Sequence, residues 1–421
     1  MRHAVFIAFH YPPEASSSGV LRTLKYSRYL GEYGWRVTVI APTADAYSIV
    51  DEQLTQQIPD TVRVIRTRWL NTRTHLSIRG IYPALLALPD SWIGWLPWGV
   101  SAARRLLRED PAQLVYSTSP HATSHLIGLR VVKATGLPWV TDFRDPWIEE
   151  PPEPGAPSGP IYTGINRMLE RKVIERSSHI VASTTHLRDQ LRSRYPSVPS
   201  ARISAILNGY DEADFGETLA PESHTSRQFV IVHAGSINAE FRDPRPLLQA
   251  LAQSVANGVV DREKLCIRFI GGGDFADSKA MSDALASTGL GSQVTFVKRV
   301  PYEESLRELG GADLLLLLQA SHDTTGLVPA KLYEYLRSQK PVLALVHPGA
   351  TSEVLATTGG GWAVDPREPE TLRRTLEVAY AAWQNGTLAQ QAADLQTLRQ
   401  FDRRLLTGHL AQIFDRVIAA S

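Results

Sequence analysis

The sequence predicts an α/β protein built on two open parallel sheets, and three observations carry that expectation. Short β-branched runs alternate with helical patterns along nearly the whole chain, as parallel strands joined by crossover helices require. The alternation breaks near the middle at Asn208-Gly-Tyr-Asp-Glu-Ala-Asp-Phe215, where Asn-Gly is a turn signal and a polar stretch runs on to Arg227. At 421 residues the chain can form two or three domains, each with its own core.

In the first half the strand candidates are 3–9, 36–41, 62–66, 113–117, 138–142 and 179–183. Between the first two, Val20, Leu21, Leu24, Tyr29 and Leu30 recur near helical spacing, predicting a helix over 18–33 that Gly34 ends. The second half repeats the theme with strands at 229–234, 265–270, 293–297, 313–318, 341–346 and 361–364. Its helices are expected at 244–256, 278–288, 302–310, 329–338 and 369–384, and the tail 387–418 is helical by pattern. Open sheets bind ligands beyond the carboxyl ends of their strands, so two facing sheets would make a cleft.

Composition excludes several classes. Forty-four Lys and Arg against 43 Asp and Glu leave a net charge of +1, too little for a global field that recruits nucleic acid. A single cysteine, Cys266, excludes a disulfide framework and a cysteine-cluster metal site. No His/Asp/Glu cluster has metal spacing, so metal-independent action without a cofactor is expected. The opening Met-Arg-His-Ala-Val-Phe-Ile-Ala-Phe is short for a signal peptide, and no window approaches the roughly 20 apolar residues of a membrane span. A cytoplasmic chain is expected. The segment 149–160, rich in proline, suits only a loop. Trp92, Trp95 and Trp98 beside Arg104, Arg105 and Arg108 have two readings. They form either an interfacial segment on the inner face of a membrane or a helix whose tryptophans pack in the core.

The most telling stretch runs from Thr324 to Leu336. An apolar strand, Ala312 to Leu318, enters a polar loop with one glycine, and the loop passes into a helix carrying Lys331 and Glu334. A helix start presents backbone N–H groups to phosphate, and Lys331 adds a point charge. Glu334, at i+3 on the same face, could accept two hydrogen bonds from a ribose diol. Pro329 suits the first helical position. Diphosphate and ribose read by one helix suggest a nucleotide-diphosphate ligand.

With these motifs in order, the chain resembles the retaining nucleotide-sugar glycosyltransferases of glycosyltransferase family 4, particularly members that build bacterial surface polysaccharides. The carrying residues are Ser17-Ser-Gly19, Gly34-Trp-Arg-Val-Thr-Val-Ile40, Ser119-Pro-His121, Asp142-Phe-Arg-Asp-Pro-Trp147 and Leu207 to Phe215. The second half adds His233-Ala-Gly-Ser236, Phe269-Ile-Gly-Gly-Gly273 and Val328 to Leu336. The resemblance implies the GT-B fold, two facing Rossmann-like domains with an interdomain cleft. It places an acceptor-binding domain at 1–208, a nucleotide-sugar-binding domain at 209–390 and a helix at 391–421 packing back across them. The implied partners are a nucleotide-sugar donor and a sugar or lipid-linked saccharide acceptor, the latter favouring peripheral membrane contact.

Residue by residue, the resemblance makes Glu334 the ribose glutamate, and Lys331 with Gly326, Leu327 and Val328 the diphosphate- and sugar-facing loop. Gly19 and Gly235 become close-approach glycines beside the diphosphate. There are two departures. A glutamate usual eight residues before the ribose glutamate is Gly326 here, leaving Asp323 or backbone alone to hold the sugar. The usual arginine after the second-domain glycine is Ser236, leaving Arg242 or Arg245 to supply phosphate charge. The family is thought to attack from the same face with the leaving phosphate accepting the proton, so positive charge on the diphosphate is the main catalytic contribution. Lys331 with Arg242, Arg245 or Arg299 are the candidates. His121 is expected to hydrogen-bond the sugar or acceptor. Asp145 either holds the acceptor hydroxyl or pairs with Arg144. A nucleotide-sugar epimerase and a non-catalytic scaffold of the same fold are the competing readings. An NAD-dependent oxidoreductase would need a glycine fingerprint that Gly271 to Gly273 do not supply.

Overall fold

The computed structural model describes all residues except 17–18, 78–83, 149–158, 217–227, 321–325 and 421. Asp323, Ser17, Ser18 and most of the proline-rich segment therefore lie outside the described residues. The chain divides into two compact units, Met1–Asn208 with Arg403–Ser421, and Gly209–Asp402.

The first unit holds seven parallel strands: β1 (Arg2–Ala8), β2 (Trp35–Pro42), β3 (Arg63–Thr67), β4 (Leu114–Thr118), β5 (Trp139–Phe143), β6 (His179–Ala182) and β7 (Ile203–Ala205). Their order in the sheet is β3-β2-β1-β4-β5-β6-β7. Six fall within a residue or two of expectation, because strands buried on both faces read as continuous apolar runs. The sequence reading missed β7, a three-residue edge strand carrying Ser204. The predicted helix at 18–33 is a helix over Gly19–Tyr29 followed by a tighter turn, Leu30–Tyr33, which ends at Gly34 with φ 78°.

Arg22 fixes that helix to the sheet. Its guanidinium makes two hydrogen bonds to Asp142 in β5, at 2.8 and 3.1 Å, and another to the carbonyl of Leu207 at 3.0 Å. Asp142 also accepts from Tyr116 and Thr118 in β4, at 2.8 and 2.9 Å. Although burial opposes ionisation, Arg22 and these donors hold the Asp142 carboxyl below its ordinary range. Asp142 therefore anchors the helix that begins at Gly19.

The tryptophans bear on the segment before the helix Leu96–Glu109. Trp95 is fully buried and donates to Thr67 Oγ1 at 2.7 Å. Trp92 packs against the same core, its ring 4.3 Å from that of Phe9, and Trp98 is half-buried. Arg104, Arg105 and Arg108 point to solvent from the helix Leu96–Glu109, opposite its buried face of Gly99, Ala102, Ala103 and Leu106. Of the two readings, core packing describes Trp95. Among the described residues no helix is long and apolar enough to cross a membrane.

The second unit holds six parallel strands: β8 (Phe229–Ala234), β9 (Leu265–Ile270), β10 (Val294–Val297), β11 (Leu314–Gln319), β12 (Val342–Val346) and β13 (Gly361–Val364). They are ordered β10-β9-β8-β11-β12-β13. The predicted tail helix over 387–418 is instead broken into the turns Leu388–Gln391 and Arg399–Phe401, the short helix Leu395–Leu398 and the helix Arg403–Ala419. Asp394 causes the first break by capping the short helix Leu395–Leu398, its carboxylate accepting the Gln396 and Thr397 N–H groups from an extended backbone. The last helix belongs to the first unit, where Phe414 packs edge-on against Trp35 and Phe6.

Candidate active site

Each sheet reverses its winding between two adjacent strands, β1 and β4 in the first unit and β8 and β11 in the second. At such a switch point the helices leave to opposite faces and open a crevice beyond the strand ends. The candidate residues collect at these two places.

In the second unit, β8 ends in Ala234-Gly235-Ser236. Gly235 has φ 138°, a conformation favouring glycine, and its N–H donates to Ile270 O at 2.6 Å. Lys331, in the second position of the helix Ala330–Arg337, reaches across and donates to the Ala234 carbonyl at 2.8 Å. Burial first, and then the nearby Arg242, lower the Lys331 pKa to about 7, against the opposing pull of Glu334. Tyr335 ties the same helix to β8, its hydroxyl accepting from the Ala234 N–H at 2.7 Å. The helix begins at Ala330, with Pro329 as its cap rather than its first residue, because Pro329 has an extended ψ of 134°.

The replaced arginine has a structural counterpart. Asn238 Oδ1 accepts the backbone N–H groups of Glu240, Phe241 and Arg242 at 3.1, 2.9 and 3.0 Å, folding the loop back on itself. Arg242 is thereby returned to Ser236 and donates to its hydroxyl at 2.9 Å. Arg245 is engaged elsewhere, in a forked pair with Asp243 at 2.7–2.9 Å. Arg299 lies on the exposed surface after β10. Of the three arginines, Arg242 is the one brought to Lys331.

Glu334 is buried and accepts from the Tyr302 hydroxyl at 2.9 Å. Leu327 and Gly326 are half-buried and Val328 is buried, with Thr351 Oγ1 donating to the Leu327 carbonyl at 2.9 Å. Gly271 packs directly on Gly235, so that a Cβ there would lie 2.8 Å from the Gly235 carbonyl carbon. The Gly271 to Gly273 run is thus a turn that supports the β8 end.

In the first unit, Gly19 opens its helix directly beneath Arg144, and a Cβ on Gly19 would overlap the Arg144 guanidinium. Arg144 is held by its backbone N–H donating to Ser119 Oγ at 2.8 Å and its carbonyl accepting from Ser183 Oγ at 2.6 Å. Asp145 is half-buried in the next position. His121 follows β4 as the cap of the helix Ala122–Thr135, while Asp90 closes that helix by accepting from the Thr123 N–H and hydroxyl, both at 2.8 Å. His121 lies against Phe9 and Trp92, with ring centroids 4.5 and 5.7 Å away, and its Nε2 is 3.3 Å from His10 Nε2. Burial, then His10 and Arg144, hold its pKa well below the ordinary histidine value. Sequence reasoning missed His10, Glu14 and Arg144 here, and Tyr302 and Tyr335 in the second unit. Only His10-Tyr-Pro-Pro-Glu14, polar residues directly after a buried strand, could have flagged the first two.

Comparison with known proteins agrees with this arrangement. Residues 19–209 match the Glycosyl transferase 4-like domain and residues 215–386 match the Glycosyl transferases group 1 family, together taking in most of the chain. The protein belongs to the glycosyltransferases of GT-B fold. Over 124 residues it is 32% identical to the Probable glycosyltransferase WbjE of Pseudomonas aeruginosa, a stretch covering 28% of this chain and 29% of that one. The matched segment thus spans less than a third of that relative. Among solved structures, HepE of Anabaena in complex with UDP is similar at a TM-score of 0.69 and 15% identity, over 99% of this chain and all of that one. A glycosyltransferase from Rickettsia africae gives 0.69 at 13%, and sucrose-phosphate synthase from Thermosynechococcus elongatus 0.66 at 15%, each over the full length of both chains.

Proposed function

We propose that the protein is a retaining glycosyltransferase that moves a sugar from a nucleoside-diphosphate donor to a hydroxyl acceptor in polysaccharide or glycolipid synthesis. The observation that carries this reading is the paired charge of Lys331 and Arg242 at the end of β8, one turn of helix from the buried carboxylate of Glu334. Glu334 accepts from the ribose hydroxyls. Lys331 and Arg242 neutralise the diphosphate as the bond between the anomeric carbon and the phosphate oxygen breaks. The acceptor oxygen bonds that carbon from the same face and its proton passes to the leaving phosphate, so that no protein nucleophile is consumed. Gly326, Leu327 and Val328 offer backbone to the sugar, Arg299 is a further candidate for charge on the diphosphate, and His121 and Asp145 serve the sugar and acceptor hydroxyls. Arg242 beside Ser236 supports catalysis over a non-catalytic scaffold, since the charge lost at that position is restored from another.

HepE has been solved with UDP and with UDP-glucose, which makes these the first probes here. A thermal-shift screen of nucleoside diphosphates and their sugars should show stabilisation, and Arg242→Ala should weaken the best nucleotide by about 1.5–3 kcal/mol in calorimetry, the range for a hydrogen bond to a charged group. A chain stabilised by none of them is not a nucleotide-sugar enzyme.

A further inference from the structure

β1 runs into Phe9-His10-Tyr-Pro-Pro-Glu14, and the loop turns Glu14 back beneath His10. Glu14 is 1% exposed, and its Oε2 lies 3.0 Å from His10 Nδ1. The other nitrogen of His10 meets His121 Nε2 at 3.3 Å. A carboxylate and two imidazoles therefore form one chain, from the buried loop after β1 to the residue that follows β4. Nothing in sugar transfer as set out above uses Glu14 or His10.

A buried carboxylate is costly unless its oxygens are bonded. Glu14 Oε1 accepts the Ser16 N–H at 2.6 Å and the Ser16 hydroxyl, leaving Oε2 to His10. Burial opposes its ionisation, but His10 and Ser16 outweigh it and lower the carboxyl pKa. An ionised Glu14 only accepts, so His10 carries its hydrogen on Nδ1. With His10 in its neutral form, Nε2 carries a lone pair and the hydrogen between the two rings belongs to His121. That leaves His121 Nδ1 without a hydrogen. Phe9 and Trp92 fix the plane of the His121 ring. Arg144 is a further charged neighbour, and Asp90, which caps the His121 helix, accepts from Thr123 and the Trp92 N–H.

We infer that Glu14 and His10 are positioning residues that keep the His121 hydrogen on Nε2, so that Nδ1 is presented as an acceptor to a hydroxyl of the sugar. The identity of that hydroxyl group rests on the glycosyltransferase reading. The tautomer does not.

The test is two-bond proton–nitrogen correlation on the full chain labelled with ¹⁵N-histidine at neutral pH, with a His121→Gln spectrum assigning the signals. In the wild type, His121 Nε2 should be pyrrole-like and Nδ1 pyridine-like. In Glu14→Gln the Ser16 N–H retains the amide oxygen, which turns the amide NH₂ towards His10. The hydrogens then move along the chain and the His121 pattern reverses. His10→Phe removes the acceptor from Nε2 and should give a mixed pattern, which keeps the test intact should Glu14→Gln not fold. A wild-type hydrogen on Nδ1, or a pattern that neither folded variant alters, overturns the inference. The spectra are those of the free protein, so either result stands whether or not sugar transfer is later observed.

Discussion

A Cβ built on Gly235 would lie 2.0 Å from Nζ of Lys331, so the ammonium occupies space that only glycine leaves open. The backbone there has φ 138°, which a side chain strains further. Gly235→Ala is therefore expected to lose about 1–3 kcal/mol of stability, the usual range for such strain, and to displace Lys331. Denaturant melts measure the first effect and titration with UDP the second. A variant with unchanged stability and affinity would show that the ammonium is not confined by this glycine.

Lys331 also predicts a pH dependence. Its pKa in the free protein is about 7, lowered by burial and then by Arg242. A bound diphosphate stabilises the ammonium and raises that pKa, so binding takes up a proton once the pH exceeds about 7. Nucleoside-diphosphate affinity should be fully present below that pH and fall as the pH rises through and above it. Calorimetry of UDP binding in buffers of different ionisation enthalpy reads the uptake directly. Lys331→Met should abolish both the uptake and the slope, and equal proton counts in the two proteins would remove Lys331 from the phosphate.

Glu334 tests the ribose half of the site. Its carboxylate is buried, receives the Tyr302 hydroxyl, and stands one turn beyond Lys331. Glu334→Gln keeps the shape but halves the capacity to accept, and should weaken UDP binding by about 1.5–3 kcal/mol. The same substitution should leave inorganic diphosphate binding unchanged, since that ligand has no ribose. Equal losses for both ligands would assign Glu334 to the charge balance around Lys331 rather than to ribose.

The strands were legible because a parallel sheet covered on both faces demands apolar runs, and Leu314 to Leu318 or Val342 to Val346 can hardly be anything else. The charge at Ser236 was legible only as a gap. Arg242 fills it through a loop wound on Asn238, and hydrogen bonds to three successive backbone N–H groups leave no periodic trace in sequence. Arg144 over Gly19 and the Glu14–His10–His121 chain were hidden for the same reason, since each joins segments brought together only by strand order. Trp95 was legible only as one of two readings. Its neighbours in sequence suggested an exposed face, whereas helical phase turns the arginines outward and the ring inward.

Trp95 gives the sharpest test of that phase. The ring is fully buried, its edge against Phe9 at 5.7 Å, and its N–H donates to Thr67 Oγ1. Trp95→Ala removes a large core side chain and its hydrogen bond to Thr67 Oγ1, and should cost about 3–5 kcal/mol. Trp95→Phe retains most of the volume and loses the hydrogen bond, so the loss should be clearly smaller. Arg105→Ala on the solvent face of the helix that follows Trp95, whose pairing with Glu109 is at 4.0 Å, should change stability by under about 1 kcal/mol. Chemical denaturation of the three variants orders them. Should Trp95→Ala unfold at the wild-type midpoint, the ring is not part of the core, and vesicle binding through these tryptophans regains its basis.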